Sequence, residues 1–157
     1  MRGIKKYFAV AFAAAMLAGA VPFAVSAETA NGIEIPDETL KAAIVDTLEL
    51  STDVITENDM KKLTVLETPV NDPAKKIKDL TGLEYAVNLV SLNLDYNKIT
   101  DLTPIAGLTN LKELDISYND GTAEGTDGLT DISCLSGLVN LEKFYSVNNA
   151  SVKDYSV

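Results

Sequence analysis

"LVSLNLDYNKITDLTPIAGLTNLKELDISYN" (residues 89–119) contains one pattern written twice, with 22 residues between equivalent positions. The apolar residues and the asparagine that return are Leu89, Leu92, Leu94 and Asn97, and then Leu111, Leu114, Ile116 and Asn119. Self-similarity at a fixed period of this length is typical of a solenoid, in which one structural unit stacks on the next. The repeat therefore decides the fold before any other feature does.

The repeat extends on both sides of this stretch. The sequence "IKDLTGLEYA" (77–86) recurs as "ITDLTPIAGL" (99–108), again 22 residues further on. A third copy, "LTDISCLSGL" (129–138), follows 30 residues after the second and precedes "NLEKF" (140–144). The chain thus carries one motif, close to L-x-x-L-x-L-x-x-N-x-I-x-D-L-x-x-I-x-x-L, about three times.

The spacing of the leucines predicts the shape of each unit. Leu92 and Leu94 alternate with polar residues, as in a half-buried β-strand, so both are expected to point inward. Asn97 lies where the chain must turn, and its amide can bond backbone groups that the turn leaves unpaired. Ile99 and Leu102 then return the chain along the opposite wall. Each coil buries its leucines only against its neighbours, so the strands are expected to form a parallel sheet.

The motif in residues 89–119 resembles the leucine-rich repeat of the bacterial internalin type. The stretches "IEIPDETLKAAIVDTLEL" (33–50) and "VITENDMKKLTVLET" (54–68) look like the helical cap that precedes the repeats in that family. The resemblance implies an α/β fold: a leucine-rich-repeat solenoid with a curved parallel β-sheet, a short helical or extended convex side and an α-helical N-terminal cap. It also implies a non-catalytic surface protein that binds partners through its concave sheet.

The residues of the cap predict helices on their own. Asp37 and Glu38 would lie at the positive end of a helix dipole, and Leu40, Ile44 and Leu48 fall one turn apart on a single face. Such a face can shield the leucines of the first coil from water. The sequence therefore predicts that this helix packs on the repeats rather than on a membrane.

The domain boundaries follow from these elements. Thr56 with Asp59 three residues later predicts the N-terminal cap of a second short helix. We expect a helical cap over residues 33–76 and about three leucine-rich repeats over residues 77–157, with an incomplete last coil. The pattern weakens after residue 144, which favours a fragment of a longer protein over a last coil that frays or pairs with another chain.

The first 27 residues have the features of a secretory signal peptide. Three basic residues precede an uncharged apolar run at 7–20, and "VSA" (25–27) places small residues where a signal peptidase cleaves. We expect cleavage after Ala27 and a secreted or cell-surface protein. In the alternative, the segment stays uncleaved as an anchor helix and is the chain's only membrane contact.

Composition excludes several classes of function. The chain from Glu28 carries 23 acidic residues against 10 lysines, a formal net charge of −13, and it contains no arginine or histidine. This charge repels phosphate backbones, so no nucleic-acid partner is expected. Catalytic triads and common zinc sites need histidine, so we predict no enzyme, no cofactor and no metal site.

The single cysteine is expected to be structural. Cys134 has no second cysteine with which to form an internal disulfide, although the chain carries an export signal. No basic neighbour in the sequence would lower the pKa of its thiol, so a small buried apolar role is favoured over a reactive one.

An acidic insertion interrupts the repeat. Residues 121–128 ("GTAEGTDG") are the eight that lengthen the spacing from 22 to 30. Asp120, Glu124 and Asp127 could hold calcium, but they lack the alternating order of a helix-flanked calcium loop. The sequence favours a surface loop without a metal.

The outward positions of the strands are the candidate ligand-binding residues of the concave face. They are Ser91, Asn93, Asp95, Glu113, Asp115, Ser117, Lys143 and Tyr145. A protein or peptide is the expected ligand, with a glycan as the alternative, and the function would be adhesion or recognition. In a second hypothesis the repeats are a targeting or spacer region of a longer surface protein or exoenzyme, whose functional domain lies beyond residue 157.

A carboxylate pair on this face could also suggest an enzyme. Asp95 and Asp115 are expected on adjacent strands, about 5 Å apart at the backbone, which is near the separation found in retaining glycosidases. Repeats produce this spacing automatically, and an exposed sheet would not raise the pKa of one acid as general acid catalysis requires. The pair is therefore predicted to be non-catalytic.

Overall fold

The computed structural model describes residues 32–68, 74–119 and 128–155. The predicted signal peptide lies outside these residues, as do the acids Asp120, Glu124 and Asp127 and nearly all of the insertion at 121–128. Within the described part of the chain, no helix has the length and apolar character needed to cross a bilayer.

Two helices form the N-terminal cap. Helix α1 spans Glu38–Thr47 and helix α2 spans Glu57–Met60. The carboxylate of Asp37 accepts hydrogen bonds from the backbone N–H groups of Thr39 and Leu40, at 3.0 and 3.1 Å, and so satisfies donors that the helix start leaves unpaired. At α2, the side chains of Thr56 and Asp59 each accept a hydrogen bond from the other residue's backbone N–H. Both predicted helix starts are present.

Four short strands make one parallel sheet, ordered along the chain. They are β1 (Val65–Glu67), β2 (Ser91–Asn93), β3 (Glu113–Asp115) and β4 (Lys143–Tyr145). Their central residues align across the sheet as Leu66, Leu92, Leu114 and Phe144. The first three are almost fully buried, whereas Phe144 is half-buried in the last strand. The predicted leucine-rich-repeat solenoid with a helical cap is confirmed.

Strand β1 corrects the sequence interpretation of residues 33–76 as a purely helical cap. Leu63, Leu66 and Thr68 fill the L-x-x-L-x-L pattern, and all three are buried. This copy precedes the next by 26 residues rather than 22, and Thr68 replaces its last leucine. The Thr68 hydroxyl donates to the backbone oxygen of Asn93 at 3.0 Å, which compensates for burying a polar group in this position.

Short 3-10 helices form the convex return of the coils. They span Leu83–Tyr85, Thr103–Ile105 and Ser133–Gly137 among the described residues. Each ends an I-x-D-L-type segment whose apolar residues, such as Ile99, Leu102 and Ile105, are at most 1% exposed. Burying a side chain of this size contributes about 1.5–3 kcal/mol.

Asparagines at the turns link one coil to the next. The Oδ1 atoms of Asn97 and Asn119 accept hydrogen bonds from the backbone N–H groups of Ile77 and Ile99, both at 3.0 Å. Their Nδ2 atoms donate to buried backbone oxygens of the turns. The prediction that the turn asparagine satisfies backbone groups is confirmed. Asn149 continues the series, with Nδ2 donating to the backbone oxygen of Ile116 at 2.8 Å.

Cys134 lies on the convex side, half-buried against the hydrophobic core. Burial raises the pKa of its thiol, and the nearby carboxylates of Asp131 and Asp101 raise it further. The thiolate is therefore disfavoured, which agrees with the structural role predicted for this residue.

Candidate functional site

The concave face of the sheet is a grid of outward-pointing side chains. The parallel register places Ser91, Glu113 and Lys143 in one row across strands β2, β3 and β4. A second row, two residues later in each strand, contains Asn93, Asp115 and Tyr145. Neighbouring residues in a row are one strand spacing apart, about 4.8 Å. Six of the eight predicted residues thus share one continuous surface.

Exposure increases along both rows toward β4. The side chains from β2 and β3 are half-buried, while Lys143 and Tyr145 are exposed, Tyr145 at 44%. The face is therefore accessible to a macromolecule at every strand, and most accessible at the last one.

Ser117 does not belong to the exposed grid, and its placement there by sequence was wrong. It is only 4% exposed, and its Oγ accepts a hydrogen bond from the backbone N–H of Val147 at 3.1 Å. The third outward position follows the end of the strand, where the chain enters the turn and the next coil covers it. Ser117 therefore joins coils instead of facing a ligand.

Asp95 occupies the same third position one coil earlier and is half-buried. Burial raises the pKa of its carboxyl, and the negative charge of Asp115 raises it further, while the Lys76 ammonium acts in the opposite direction. Its Oδ1 is buried without a hydrogen-bond partner among the described residues. The register pairs Asp115 with Asn93, so the two acids lie diagonally and not directly across from each other.

Ion pairs neutralise one part of the grid and its border. The Lys143 ammonium lies 3.2 Å from the Glu113 carboxylate, which raises the pKa of Lys143. Beside them, Lys112 lies 2.7 Å from Glu142 and lowers the pKa of that carboxyl. No described lysine forms an ion pair with Glu67 or Asp115. The uncompensated charge of the face is therefore negative and lies on strands β1 to β3.

Sequence reasoning missed two aromatic residues at the carboxyl end of the strands. The rings of Tyr96 and Tyr118 are stacked, with centroids 4.1 Å apart and planes 8° from parallel. Both remain exposed, at 43% and 37%. The signal was present in the sequence, because "DYN" and "SYN" place a tyrosine directly before the turn asparagine in two successive copies.

Comparison with known proteins identifies the family. A sequence model described as "Leucine Rich repeats (2 copies)" matches residues 87–121. The fold matches the crystal structure of an internalin (inlF) from Listeria monocytogenes with a TM-score of 0.64 and 31% identity, covering 77% of this chain. The chain belongs to the bacterial internalin-like leucine-rich repeat proteins. This internalin-like chain spans about a third of that Listeria protein, since the match covers 32% of it.

Two further structures resemble the internalin-like chain less closely. Internalin C2 (inlC2) of Listeria monocytogenes matches at 24% identity over 75% of this chain and 62% of its own, with a TM-score of 0.49. A Clostridium perfringens ZmpB structure, with CBM51-2 in complex with GlcNAc and INT domains, matches at 40% identity over 55% of this chain and 18% of its own, with a TM-score of 0.48. No curated protein sequence matches the chain.

Proposed function

We propose that this chain is a secreted or cell-surface module that binds a protein partner through the concave face of its sheet. The observation that carries the proposal is the continuous grid of outward side chains on an internalin-like frame, with both rows in register across β2, β3 and β4. A parallel sheet of stacked coils presents a broad, rigid surface, and such extended concave surfaces are those that solenoid proteins use for binding. The chain acts by recognition and not by catalysis.

Charge determines how the binding face can be tested. Changing Asp95, Glu113 and Asp115 together to Lys reverses three carboxylates on the grid. A matched control reverses three exposed acids of the cap, Asp46, Asp53 and Glu57. Both variants change the net charge by the same amount, so only the position of the charges differs.

The experiment is chemical crosslinking of the purified chain, from Glu28 onward, to surface extracts, with identification of the captured protein by mass spectrometry. We expect the concave variant to lose the protein that the unchanged chain captures and the cap variant to retain it. A further variant, with Asp95→Asn, Glu113→Gln and Asp115→Asn, keeps the shape of the polar groups and controls for misfolding. Capture that persists unaltered in both concave variants would sink the proposal.

Export is tested separately from binding. We propose that residues 1–27 direct secretion and are removed, so the product in the medium should begin at Glu28. The intact mass of the exported protein distinguishes this product from a chain that retains its first 27 residues.

A second candidate function is a targeting or spacer region within a larger surface protein. It is supported by the Listeria internalin, of which the matched region is only 32%. In that case the concave variants would leave capture unaltered, while deletion of the repeats would change where an attached domain is found.

A further inference from the structure

Tyr96 and Tyr118 occupy a backbone position that does not suit tyrosine. Their φ angles are +54° and +57°, in the left-handed region, and Asn148 has φ +54° at the equivalent position of the last coil. This conformation costs a residue with a bulky side chain roughly 1 kcal/mol or more, and asparagine tolerates it better. Strained positions of this kind concentrate at ligand contacts. Two coils therefore carry an exposed tyrosine where a third shows that asparagine fits.

The tyrosine stack already contacts one cation of the chain itself. The ammonium of Lys76 lies 5.9 Å from the ring centroid of Tyr96, within the range of a cation–π interaction. The same ammonium donates a hydrogen bond to the backbone oxygen of Tyr96. Lys76 and Tyr118 thus lie over the two faces of Tyr96. Among the described residues, no ring or cation lies over the second face of Tyr118.

Acidic groups surround the stack on the concave side. Asp95 directly precedes Tyr96, and its inner oxygen has no partner among the described residues. Asp115 precedes Tyr118 by three residues; its Oδ1 accepts a hydrogen bond from the Ser117 backbone N–H at 2.8 Å, and no described lysine pairs with it. Burial and mutual repulsion raise the pKa of the Asp95 carboxyl, so an incoming cation would be attracted there. Ring faces and uncompensated carboxylates attract the same kind of group.

We propose that the Tyr96–Tyr118 stack, with Asp95 and Asp115, is the seat for an arginine or lysine side chain in a basic segment of the protein partner. The inference rests on the proposed function and names the chemistry of the partner at the same face. The cation lies over the outer face of Tyr118 and pairs with the neighbouring carboxylates. Arginine suits the seat best, because its planar guanidinium stacks on a ring while bonding to a carboxylate.

Charge complementarity selects a protein over a neutral glycan as the occupant. Sugars also stack on tyrosine rings, but a neutral sugar gains no Coulomb energy from the uncompensated acids Asp95, Asp115 and Glu67. A basic segment lying across the strands passes these acids in turn, at intervals of about 4.8 Å.

The test uses a fluorescein-labelled octapeptide of alternating arginine and glycine, titrated with the chain from Glu28 onward and followed by fluorescence anisotropy. The test variant is Tyr96→Asn with Tyr118→Asn, which should fold because Asn148 holds the same backbone conformation in the last coil. The matched control is Tyr85→Asn on the convex side, where the tyrosine is 36% exposed. Tyr96→Phe with Tyr118→Phe retains the ring faces and serves as the second variant.

We expect the double asparagine variant to weaken peptide binding roughly fivefold to thirtyfold, while the phenylalanine and Tyr85 variants bind as the unchanged chain does. The inference is overturned by equal binding to all variants, by no binding at millimolar peptide, or by tyrosine-dependent binding of a neutral N-acetylglucosamine oligomer in place of the peptide.

The two proposals fail in different ways. If the concave charge variants lose the captured partner and the double asparagine variant retains it, the tyrosine seat is wrong and the proposed function stands. If the charge variants retain the partner, the concave face itself is wrong.

Discussion

At the scale of single residues, Asn119 shows how a buried amide holds two coils together. Its Oδ1 accepts from the Ile99 backbone N–H, and its Nδ2 donates to the backbone oxygens of Leu94, Ile116 and Ser117 at 2.9 to 3.2 Å. The residue is 1% exposed, so water cannot replace these bonds. The periodic asparagine is therefore explained by folding, without a ligand.

Asn119→Ala should lower the free energy of unfolding by about 3 to 5 kcal/mol, because several buried backbone groups lose their partner at once. Urea denaturation measures the change. Asn110→Ala is the control: this exposed amide makes one bond, to the Val87 backbone oxygen at 2.9 Å, and its loss should cost less than about 1 kcal/mol. Equal losses in the two variants would contradict the structural role of Asn119.

Asp59 gives the cap a dependence on pH. The hydrogen bond from Lys62, followed by that from Thr56, lowers the pKa of its carboxyl to about 2. The unfolded chain has a pKa near ~3.9, so this stabilisation is complete above about pH 5 and is lost as the pH falls through 2.

Asp59→Asn should therefore cost about 1 kcal/mol at neutral pH, and the difference from the unchanged chain should vanish near about pH 2. Thermal unfolding followed by circular dichroism between these pH values measures it. Asp53→Asn, whose carboxylate is 83% exposed, is the control and should change stability little at any pH. A difference that stays constant with pH would show that charge is not the cause.

At the scale of elements, the cap is fixed to the first coil by close backbone packing. Asp37 caps α1, and its second oxygen accepts a hydrogen bond from the backbone N–H of Lys78 at 2.8 Å. Gly82 has φ +101°, and a Cβ placed there would lie 2.6 Å from Ile35 Cγ1 and 3.1 Å from the Glu34 backbone oxygen. Any side chain at this position must push the cap away.

Gly82→Ala should destabilise the chain by about 2 kcal/mol or more, from the left-handed backbone and from the clash together. Gly107→Ala is a matched control on the convex side, since a Cβ there meets no atom within 4 Å. Denaturant midpoints of the two variants decide the matter, and a Gly82 variant as stable as the Gly107 variant would refute the packing of cap on coil.

The predictable elements were those with an intact local pattern. The alternating leucines of β2 and β3 and the capping residues of α1 and α2 are readable because each signal lies within a few residues. Strand β1 was missed because Thr68 replaces a leucine and the spacing is 26. The burial of Ser117 and the stacking of Tyr96 on Tyr118 depend on contacts between coils, and these require the register of the sheet.

At the scale of the whole molecule, the net charge of −13 from Glu28 onward opposes compact folding. Screening shortens the Debye length from about 30 Å at 0.01 M salt to about 8 Å at 0.15 M. The melting temperature should therefore rise with sodium chloride over this range. The concave charge-reversal variant, with a net charge of −7, should show a smaller rise, and an equal or larger rise would contradict the repulsion argument.

The central claim is that a partner covers the concave face, and tyrosine footprinting tests it most directly. Hydroxyl radicals label exposed tyrosines, and Tyr96, Tyr118 and Tyr145 report on the concave side while Tyr85 reports on the convex side. The measurement compares labelling of the chain alone with labelling in its crosslink-identified complex. We predict protection of the three concave tyrosines with Tyr85 unchanged; protection of Tyr85 with the other three unchanged would contradict the account.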